Sequence, residues 1–293
     1  VTSEKNRVLV SMQPEKDPPQ NEAEENPESG EREEPEVQDS TPAEIAPESK
    51  FSEGVPLGIL TMDAEEGKEA RKLLGQKRFI GIDFGTSTTI VSQVTVSEDD
   101  KRLTSRPIPI KQFDDMGLTI EDILVPTCIA WTGSQLLIGQ GAAALKTDYE
   151  YGKNIWFSFK MKLGIDLGKP YYRSLLSGDE VPVTIQNPQQ AAVVFFNYLR
   201  EQIEYYVKEN SLPKEIVYAV SVPASFEANQ RMDLVNALHD AGLKIPEYGI
   251  IDEPNAAFIS YLVETIEYGK GVIEGLPGKH KRILVFDFGA GTC

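Results

Sequence analysis

The stretch Phe79-Ile-Gly-Ile-Asp-Phe-Gly-Thr-Ser-Thr88 decides the fold, because an apolar run ends there in a glycine turn. Arg78–Asp83 has the composition of a buried strand and Thr89–Val96 alternates like a second one, so the turn between them makes a hairpin. Gly85 lets the backbone turn sharply and approach a ligand closely. Main-chain N–H groups in such a turn suit phosphate oxygens. The sequence therefore predicts a phosphate-binding turn.

A second copy of this pattern, Ile283-Leu-Val-Phe-Asp-Phe-Gly-Ala-Gly-Thr292, stands far along the chain. In each copy an aspartate, Asp83 or Asp287, follows the apolar run. A carboxylate beside a phosphate chain suggests a bridging Mg²⁺ that is usually held through waters. Two such turns predict a site that grips a phosphate chain from both sides, with Gly289–Thr292 as the second turn.

Residues 1–76 are predicted to be a disordered acidic arm. They hold 19 of the 46 Asp and Glu residues but only 8 of the 29 Lys and Arg residues. Stretches such as Glu31–Glu36 carry too few apolar side chains to offset the entropy of ordering. One short helix is expected at most, within Gly67–Gln76. The simplest role for this arm is that of a solvating tail.

The charge balance and the cysteines indicate which partners and which cellular compartment to expect. A formal net charge of −17 without a basic patch argues against nucleic acid, because binding there gains from counterion release. The sequence has no run of roughly 18 apolar residues, so it predicts no membrane span. Cys128 and Cys293 are isolated thiols without metal-ligand spacing, which is typical of a reducing compartment. We therefore expect a cytoplasmic protein without nucleic-acid or membrane partners.

Upstream of residue 188 the sequence predicts mostly β-structure. A third strand is expected at Arg106–Lys111. Leu124–Trp131 and Gln135–Ile138 are predicted to form a hairpin that is turned by Gly133 and Ser134. We interpret residues 113–187 as a smaller subdomain inserted between parts of the main sheet.

Downstream of residue 188 the pattern alternates between helix and strand. The predicted elements are helix Pro188–Glu209, strand Ile216–Val222, helix Phe226–Ala241 with Ser225 as N-cap, strand Tyr248–Asp252, helix Pro254–Tyr268 with its proline first, and strand Ile283–Phe288. Such an alternation indicates an α/β sheet with crossover helices.

A set of segments resembles one known family. The segments are Gly81–Thr88, Val220–Arg231, Ile251–Ala257 and Phe286–Thr292, with Val125–Ala130 and Lys160–Gly164 in support. In order and spacing they are similar to the nucleotide-binding domain of heat-shock protein 70 (DnaK-type) chaperones, over about residues 77–293. Pro223–Arg231 and the Glu253-Pro-x-x-Ala-Ala run favour the chaperone branch of the superfamily. The resemblance implies an α/β, actin-like (ribonuclease H-like) ATPase lobe with an inserted smaller subdomain, the second lobe being largely missing after Cys293.

The resemblance also implies cofactors and the residues that bind them. ATP or ADP with Mg²⁺ would be bound, and Asp83 and Asp287 would complete the metal shell. The phosphates would be held by Gly85, Thr86, Ser87, Thr88, Gly289, Ala290, Gly291 and Thr292. Two of these positions depart from the family pattern, since Ala290 stands where glycine is frequent and Thr88 where another polar residue is common. The methyl group of Ala290 demands an ordinary φ, so its loop is expected to approach phosphate less closely.

Further residues gain catalytic or relay roles from the resemblance. Asp83 and Asp287 would act with Lys160, which would place the attacking water, and with Glu253, which would assist as the acidic partner. Pro223 and Arg231 would relay the nucleotide state to the surface. Phosphoryl transfer needs mostly positioning and electrostatic stabilisation, so a metal, a lysine and two amide-rich turns are the expected parts.

Each of these residues also has a plain structural interpretation. Glu253 could only place a negative charge at a helix N-terminus. Lys160 could be a solvated surface lysine, and Pro223 could simply end a strand. Arg231 could form no more than a surface salt bridge.

Three functions remain open from the sequence. The first is the ATP-hydrolysing part of a DnaK-type chaperone, incomplete at Cys293, whose full-length partners would be client proteins and co-chaperones. The second is a non-catalytic lobe that acts as an interaction or regulatory module, or a split half that needs a partner chain for its second lobe. The third is an actin-like filament protein or a kinase.

Overall fold

The computed structural model describes residues 9–11, 72, 76–96, 103–114, 116–165, 171, 174–176, 183–268 and 284–286. Its strands in chain order are β1 Leu9–Ser11, β2 Lys77–Phe84, β3 Thr88–Val96, β4 Leu103–Pro107, β5 Ile110–Phe113, β6 Thr119–Asp122, β7 Val125–Pro126, β8 Cys128–Trp131, β9 Leu136–Ile138, β10 Ile155–Phe157, β11 Ser174–Leu176, β12 Val183–Ile185, β13 Glu215–Val222, β14 Ile250–Asp252 and β15 Leu284–Phe286. Its α-helices are α1 Gln140–Ala144, α2 Pro188–Glu209, α3 Ala228–Asp240 and α4 Glu253–Tyr268, and Phe159–Lys162 forms a 3-10 helix.

A mixed sheet of six strands forms the centre of the described chain, in the order β14-β13-β2-β3-β4, with β7 also paired to β3. β2 and β3 are antiparallel, as the hairpin prediction requires. β13 runs parallel to both β2 and β14. Helix α3 connects β13 to β14, so the predicted α/β crossover is confirmed for this pair of strands.

Two predicted strands are each broken in the structure. Arg106–Lys111 is divided between β4, which ends at Pro107, and β5, because Pro109 lies in the break and lacks the N–H that a ladder needs. Leu124–Trp131 is divided at Thr127 into β7, which joins the central sheet, and β8. The predicted hairpin itself is confirmed, since β8 and β9 are antiparallel in a three-stranded sheet with β10.

Helix α2 covers the central sheet through an aromatic cluster. Phe84 of β2 lies with its ring centroid 4.7 Å from that of Phe196, 6.1 Å from that of Phe195 and 6.2 Å from that of Phe159. All four rings are fully buried. Tilted and edge-on aromatic contacts of this kind add to the burial of apolar area. Because Phe84 is anchored in this core, the preceding residue, Asp83, is held in a defined place at the end of β2.

The three helices from residue 188 onward match the prediction to within two residues at each end. α2 has the predicted bounds, and Asn187 caps it by accepting the amide of Gln190. α3 begins two residues later than predicted, because the amide of Phe226 bonds to Pro223 O and keeps that segment in a turn. Its N-cap is therefore Glu227, in a capping box with Gln230, and not Ser225. α4 begins one residue early, at Glu253.

The last described strand does not pair with the central sheet. β15 is antiparallel to β1, with Val10 opposite Val285. The predicted strand Ile283–Phe288 is thus represented by Leu284–Phe286, and its other residues lie outside the described part. The predicted acidic arm lies outside it as well, apart from Leu9–Ser11, residue 72 and residue 76. None of the helices in the described part of the chain is both long and apolar enough to cross a lipid bilayer.

Candidate functional site

The carboxyl ends of three parallel strands meet at one edge of the central sheet. In register, Ser221 of β13 lies beside Asp83 of β2, and Val222 lies beside Asp252 of β14. Glu253 follows directly on Asp252. Ligands of open α/β sheets bind beyond the carboxyl ends of the strands. This edge is therefore the place to look for a site. The sequence-predicted site residues at it or next to it are Asp83, Gly85, Thr86, Ser87, Thr88, Pro223, Arg231, Glu253 and, through its pair with Glu253, Lys160.

Asp83 projects an exposed carboxylate from this edge. The hydroxyl of Ser221 donates a hydrogen bond of 3.0 Å to Asp83 Oδ1. This bond orients the carboxylate and leaves oxygen lone pairs for other ligands. Mg²⁺ in nucleotide sites is commonly bound by one or two carboxylates together with phosphates and waters. An exposed, oriented aspartate at a strand end fits one such ligand.

The turn after Asp83 is too tight for a side chain at Gly85. A Cβ atom placed on Gly85 would lie 2.1 Å from Thr88 O, well inside van der Waals contact. The amide of Gly85 bonds to Asp83 O at 3.1 Å. The backbone of Gly85–Thr88 is thus drawn into a compact turn next to the carboxylate, as the sequence predicts.

Lys160 and Glu253 form a buried ion pair near Phe84, the residue between Asp83 and Gly85. Lys160 Nζ lies 2.7 Å from Glu253 Oε1, and the two side chains are 2% and 15% exposed. Lys160 Nζ also lies 5.7 Å from the centroid of the Phe84 ring and 5.9 Å from that of Phe226. Aromatic faces attract a cation at such distances. Lys160 is therefore not a solvated surface lysine, and Glu253 does more than begin α4.

Helix α3 holds the segment that carries Lys160. Asp233 Oδ2 accepts the amide of Gly164 at 2.7 Å, and Asn229 Nδ2 donates to Gly164 O at 2.6 Å. Gly164 has φ +67°, and a Cβ atom there would lie 2.6 Å from the amide nitrogen of Gln230. Only glycine fits this approach, so the packing of the Lys160 segment on α3 depends on Gly164.

Arg231 joins the turn after β13 to the end of β14. Its Nη2 lies 2.6 Å from Asp252 Oδ1, and both side chains are about one third exposed, 33% and 34%. Its Nε donates to Phe226 O at 3.1 Å, and Nη2 donates to Pro223 O at 3.4 Å. The salt bridge expected of a plain surface arginine is present, but it links helix α3 to the carboxyl end of β14. Pro223 ends β13, as its plain interpretation requires.

The second predicted turn lies outside the described part of the chain. Its predicted site residues are Asp287, Gly289, Ala290, Gly291 and Thr292. Their roles stay predictions.

Sequence reasoning missed residues that support the site, among them Ser221, Asp233 and Thr127, whose hydroxyl donates to Gly85 O. Ser221 stands in the otherwise apolar run Ala219–Val222, and a lone hydroxyl near a strand end was the available signal. Asp233 carried no signal, since charged residues on a helix surface are ordinary. Thr127 follows a proline inside a predicted strand, where nothing distinguishes it from its neighbours.

Comparison with known proteins gives the family of the chain. A family model described as "Hsp70 protein" matches residues 79–293. The chain belongs to the Hsp70 family. Hsp70 proteins are ATPases that bind ATP or ADP with Mg²⁺. Membership in this family implies an actin-like ATPase fold.

Similar relatives carry the name chaperone protein DnaK. The one from Endomicrobium trichonymphae is 29% identical over 216 residues, which is 73% of this chain and 28% of the relative. The one from Thermoplasma acidophilum is also 29% identical over 216 residues, or 73% of this chain and 29% of the relative. The one from Picrophilus torridus is 27% identical over 217 residues, or 73% of this chain and 31% of the relative. The chain thus matches less than a third of the length of these relatives.

Proposed function

We propose that this chain carries the first lobe of an actin-like nucleotide-binding domain, at residues 77–293, and that the protein hydrolyses ATP as a DnaK-type chaperone. Residues 113–187 form the inserted subdomain in this proposal, and residues 1–76 the acidic arm. The Hsp70 family match supports the proposal as a whole.

The single observation that carries the proposal is the buried Lys160–Glu253 pair, whose lysine lies near the ring of Phe84, the residue after Asp83. A buried ion pair costs desolvation free energy that its own attraction only partly offsets, so it is weak evidence for a purely stabilising role. Here Glu253 follows the carboxyl end of β14, and Lys160 Nζ lies 5.7 Å from the ring centroid of Phe84, which stands between the exposed Asp83 and the tight turn at Gly85. That combination of a cation, an acid and a phosphate-sized turn is what phosphoryl transfer requires.

Each residue at the edge has a role in this proposal. Asp83, oriented by Ser221, and Asp287 would hold Mg²⁺, which would supply positive charge to neutralise the phosphates. The amides and hydroxyls of Gly85–Thr88 bind phosphates, and Gly289–Thr292 does so from the other side. An ammonium group has three N–H donors, and the structure gives one of those of Lys160 to Glu253. Another serves to hold the attacking water.

Pro223 and Arg231 are proposed to pass the state of the site to the surface. Arg231 contacts the turn at Pro223, the carbonyl of Phe226 and the carboxylate of Asp252, which is adjacent to Glu253. A shift of Glu253 on hydrolysis would therefore displace the adjacent Asp252 and change its contact with Arg231. Hinge motions of this type are set by contacts on both sides of a nucleotide.

The partners of the whole protein belong to the proposal too. Client proteins and co-chaperones are the partners that DnaK relatives suggest, and a second lobe would complete the nucleotide site. A cytoplasmic location stays a prediction from composition.

Hydrolysis of Mg·ATP by the full-length protein tests the proposal. We expect turnover that requires Mg²⁺, and loss of most turnover in Asp83→Asn with a higher Mg²⁺ requirement. Glu150→Gln is the matched control, because Glu150 belongs to an exposed pair with Lys153. Absence of both Mg·ATP binding and turnover in the wild type would instead favour a non-catalytic interaction module.

A further inference from the structure

Thr127 lies at the junction between the central sheet and the smaller three-stranded sheet. It is the one residue between β7, which pairs with β3, and β8, which pairs with β9 and β10. It is 1% exposed. A hydroxyl buried to this extent must find hydrogen-bond partners or cost free energy.

The amide and the hydroxyl of Thr127 are both directed to the Gly85–Thr88 turn. Its amide donates to Ser87 O at 2.9 Å. Its hydroxyl lies 2.8 Å from Gly85 O and donates to it, since a carbonyl can only accept. One residue outside the turn therefore holds two of its carbonyl groups.

The direction of the remaining hydroxyl bond follows from counting protons. Thr89 Oγ1 lies 2.9 Å from Thr127 Oγ1, and Thr89 is fully buried. The single hydroxyl proton of Thr127 is already donated to Gly85 O. Thr89 is therefore the donor and Thr127 the acceptor, so the chain of bonds runs from Thr89 through Thr127 to the turn.

Holding the carbonyls also orients the amides of the turn. The described part of the chain has no cis peptide, and in a trans peptide the C=O and the following N–H point in opposite directions. With Gly85 O and Ser87 O directed at Thr127, the N–H groups of Thr86 and Thr88 are directed away from it. Two donors thus have a fixed direction before a ligand arrives, and preorganised groups bind without an ordering cost.

We infer that Thr127 is a positioning residue for the phosphate-binding turn, and this inference rests on the proposed function of that turn. Thr127 does not touch the phosphates. It fixes the peptide planes that present their donors, and it ties the turn to the β7–β8 junction. A change in that junction would therefore alter phosphate affinity.

Three variants of the full-length protein test this role. Thr127→Val keeps the shape and removes the hydroxyl, Thr127→Ser keeps the hydroxyl, and Thr89→Val is a matched control. Thr89→Val also replaces a buried threonine by valine, but it leaves the bond from Thr127 to Gly85 O in place. Binding of Mg·ATP and of adenosine is measured for each by calorimetry, and thermal unfolding is recorded alongside.

We expect Thr127→Val to weaken Mg·ATP binding about five- to tenfold, the equivalent of one hydrogen bond, while adenosine binding changes less than about twofold. Thr127→Ser should restore Mg·ATP affinity, and Thr89→Val should keep it although its melting temperature falls. The inference would be overturned if Thr127→Val lost equal affinity for Mg·ATP and for adenosine. It would also be overturned if Thr127→Val and Thr89→Val lost equal affinity for Mg·ATP. If the wild type binds no Mg·ATP at all, the proposed function fails instead.

A measurement on the wild type avoids the risk that Thr127→Val does not fold. The Thr127 amide should exchange its hydrogen slowly in the nucleotide-free protein, because it is already bonded to Ser87 O. Exchange as fast as that of an exposed amide would show that the turn is not held in advance, and would equally overturn the inference.

Discussion

Lys160 Nζ lies 2.7 Å from Glu253 Oε1, although the two residues are 93 positions apart in the chain. Lys160 arrives on the 3-10 helix Phe159–Lys162, and Glu253 is the first residue of α4. Removing one partner of a buried pair leaves the other charge desolvated, which costs about 3–5 kcal/mol in fully buried cases. Glu253 keeps some contact with solvent, so its share of that penalty is smaller.

Lys160→Ala in the full-length protein should abolish ATP turnover and spare nucleotide binding. The lysine is proposed to place the attacking water, whereas the phosphates are bound by the turns. Steady-state turnover and calorimetric Mg·ATP binding check this prediction. Lys153→Ala, which removes a lysine from an exposed pair with Glu150, is the control and should keep both. Unchanged turnover in Lys160→Ala would remove Lys160 from the mechanism.

Gly164→Ala should destabilise the protein more than a positive φ alone explains. Gly164 and Gly133 both have positive φ, +67° and +98°, but of the two only Gly164 has backbone atoms, from Gln230 and Asn229, within 3 Å of the place that an added methyl group would occupy. Gly133→Ala should cost about 1–2 kcal/mol from its φ. Gly164→Ala should cost about 2–5 kcal/mol because a backbone clash is added. Urea unfolding of both variants gives the difference.

ATP turnover by Gly164→Ala and Gly133→Ala distinguishes an effect on the site from an effect on stability alone. Gly164→Ala should lower turnover at temperatures where it is folded, because the Lys160 segment can no longer lie against α3. Gly133→Ala should not lower it. Equal turnover in the two folded variants would show that the position of Lys160 does not depend on Gly164.

Local patterns predicted most elements but not the contacts that support the site. The hairpin of β2 and β3 and the bounds of α2 follow from apolar periodicity and turn residues within a short window. The break after Pro107 was missed although Pro107 and Pro109 mark it in the sequence. The break at Thr127 was missed because a largely apolar run does not reveal that its two halves join different sheets. Ser221 and Thr127 act through partners 138 and 42 residues away, and a single hydroxyl carries no sign of such a partner.

The Arg231–Asp252 pair should show a measurable coupling free energy. Asp252→Asn, Arg231→Met and the double variant form a double-mutant cycle whose coupling we expect to be about 0.5–1 kcal/mol. The pair of Arg200 and Glu204, one helical turn apart on α2, is the control and should give about 0.3–0.5 kcal/mol. Urea unfolding supplies all values. A coupling no larger than that of the control would leave Arg231 as an ordinary surface salt bridge.

Cys128 titrates outside its ordinary range because it is buried. Its side chain is fully inaccessible, and burial raises the pKa of the thiol to about 11, although the charge of Lys146 opposes part of the shift. The unfolded thiol has a pKa near 8.5. Between these values the thiol keeps its proton in the folded state and loses it in the unfolded state. The contribution of Cys128 to the free energy of unfolding is therefore fully present below about pH 8.5 and is lost as the pH rises towards 11.

The free energy of unfolding of the wild type should therefore fall, through Cys128, by up to about 1.4 kcal/mol per pH unit between about pH 8.5 and pH 11. Cys128→Ala lacks this titration but loses packing, so it should be less stable than the wild type at pH 7 by about 1 kcal/mol. The other titrating groups, such as Tyr198, whose pKa burial raises to about 12, are shared by the two proteins. The gap in stability between the two proteins, which favours the wild type at pH 7, should therefore shrink as pH rises and reverse by pH 10, because a loss of about 1.4 kcal/mol per pH unit above pH 8.5 exceeds the initial difference of about 1 kcal/mol. Urea unfolding at pH 7, 8.5 and 10 measures the gap. A gap that stays constant would mean that the Cys128 thiol ionises equally in the folded and unfolded states.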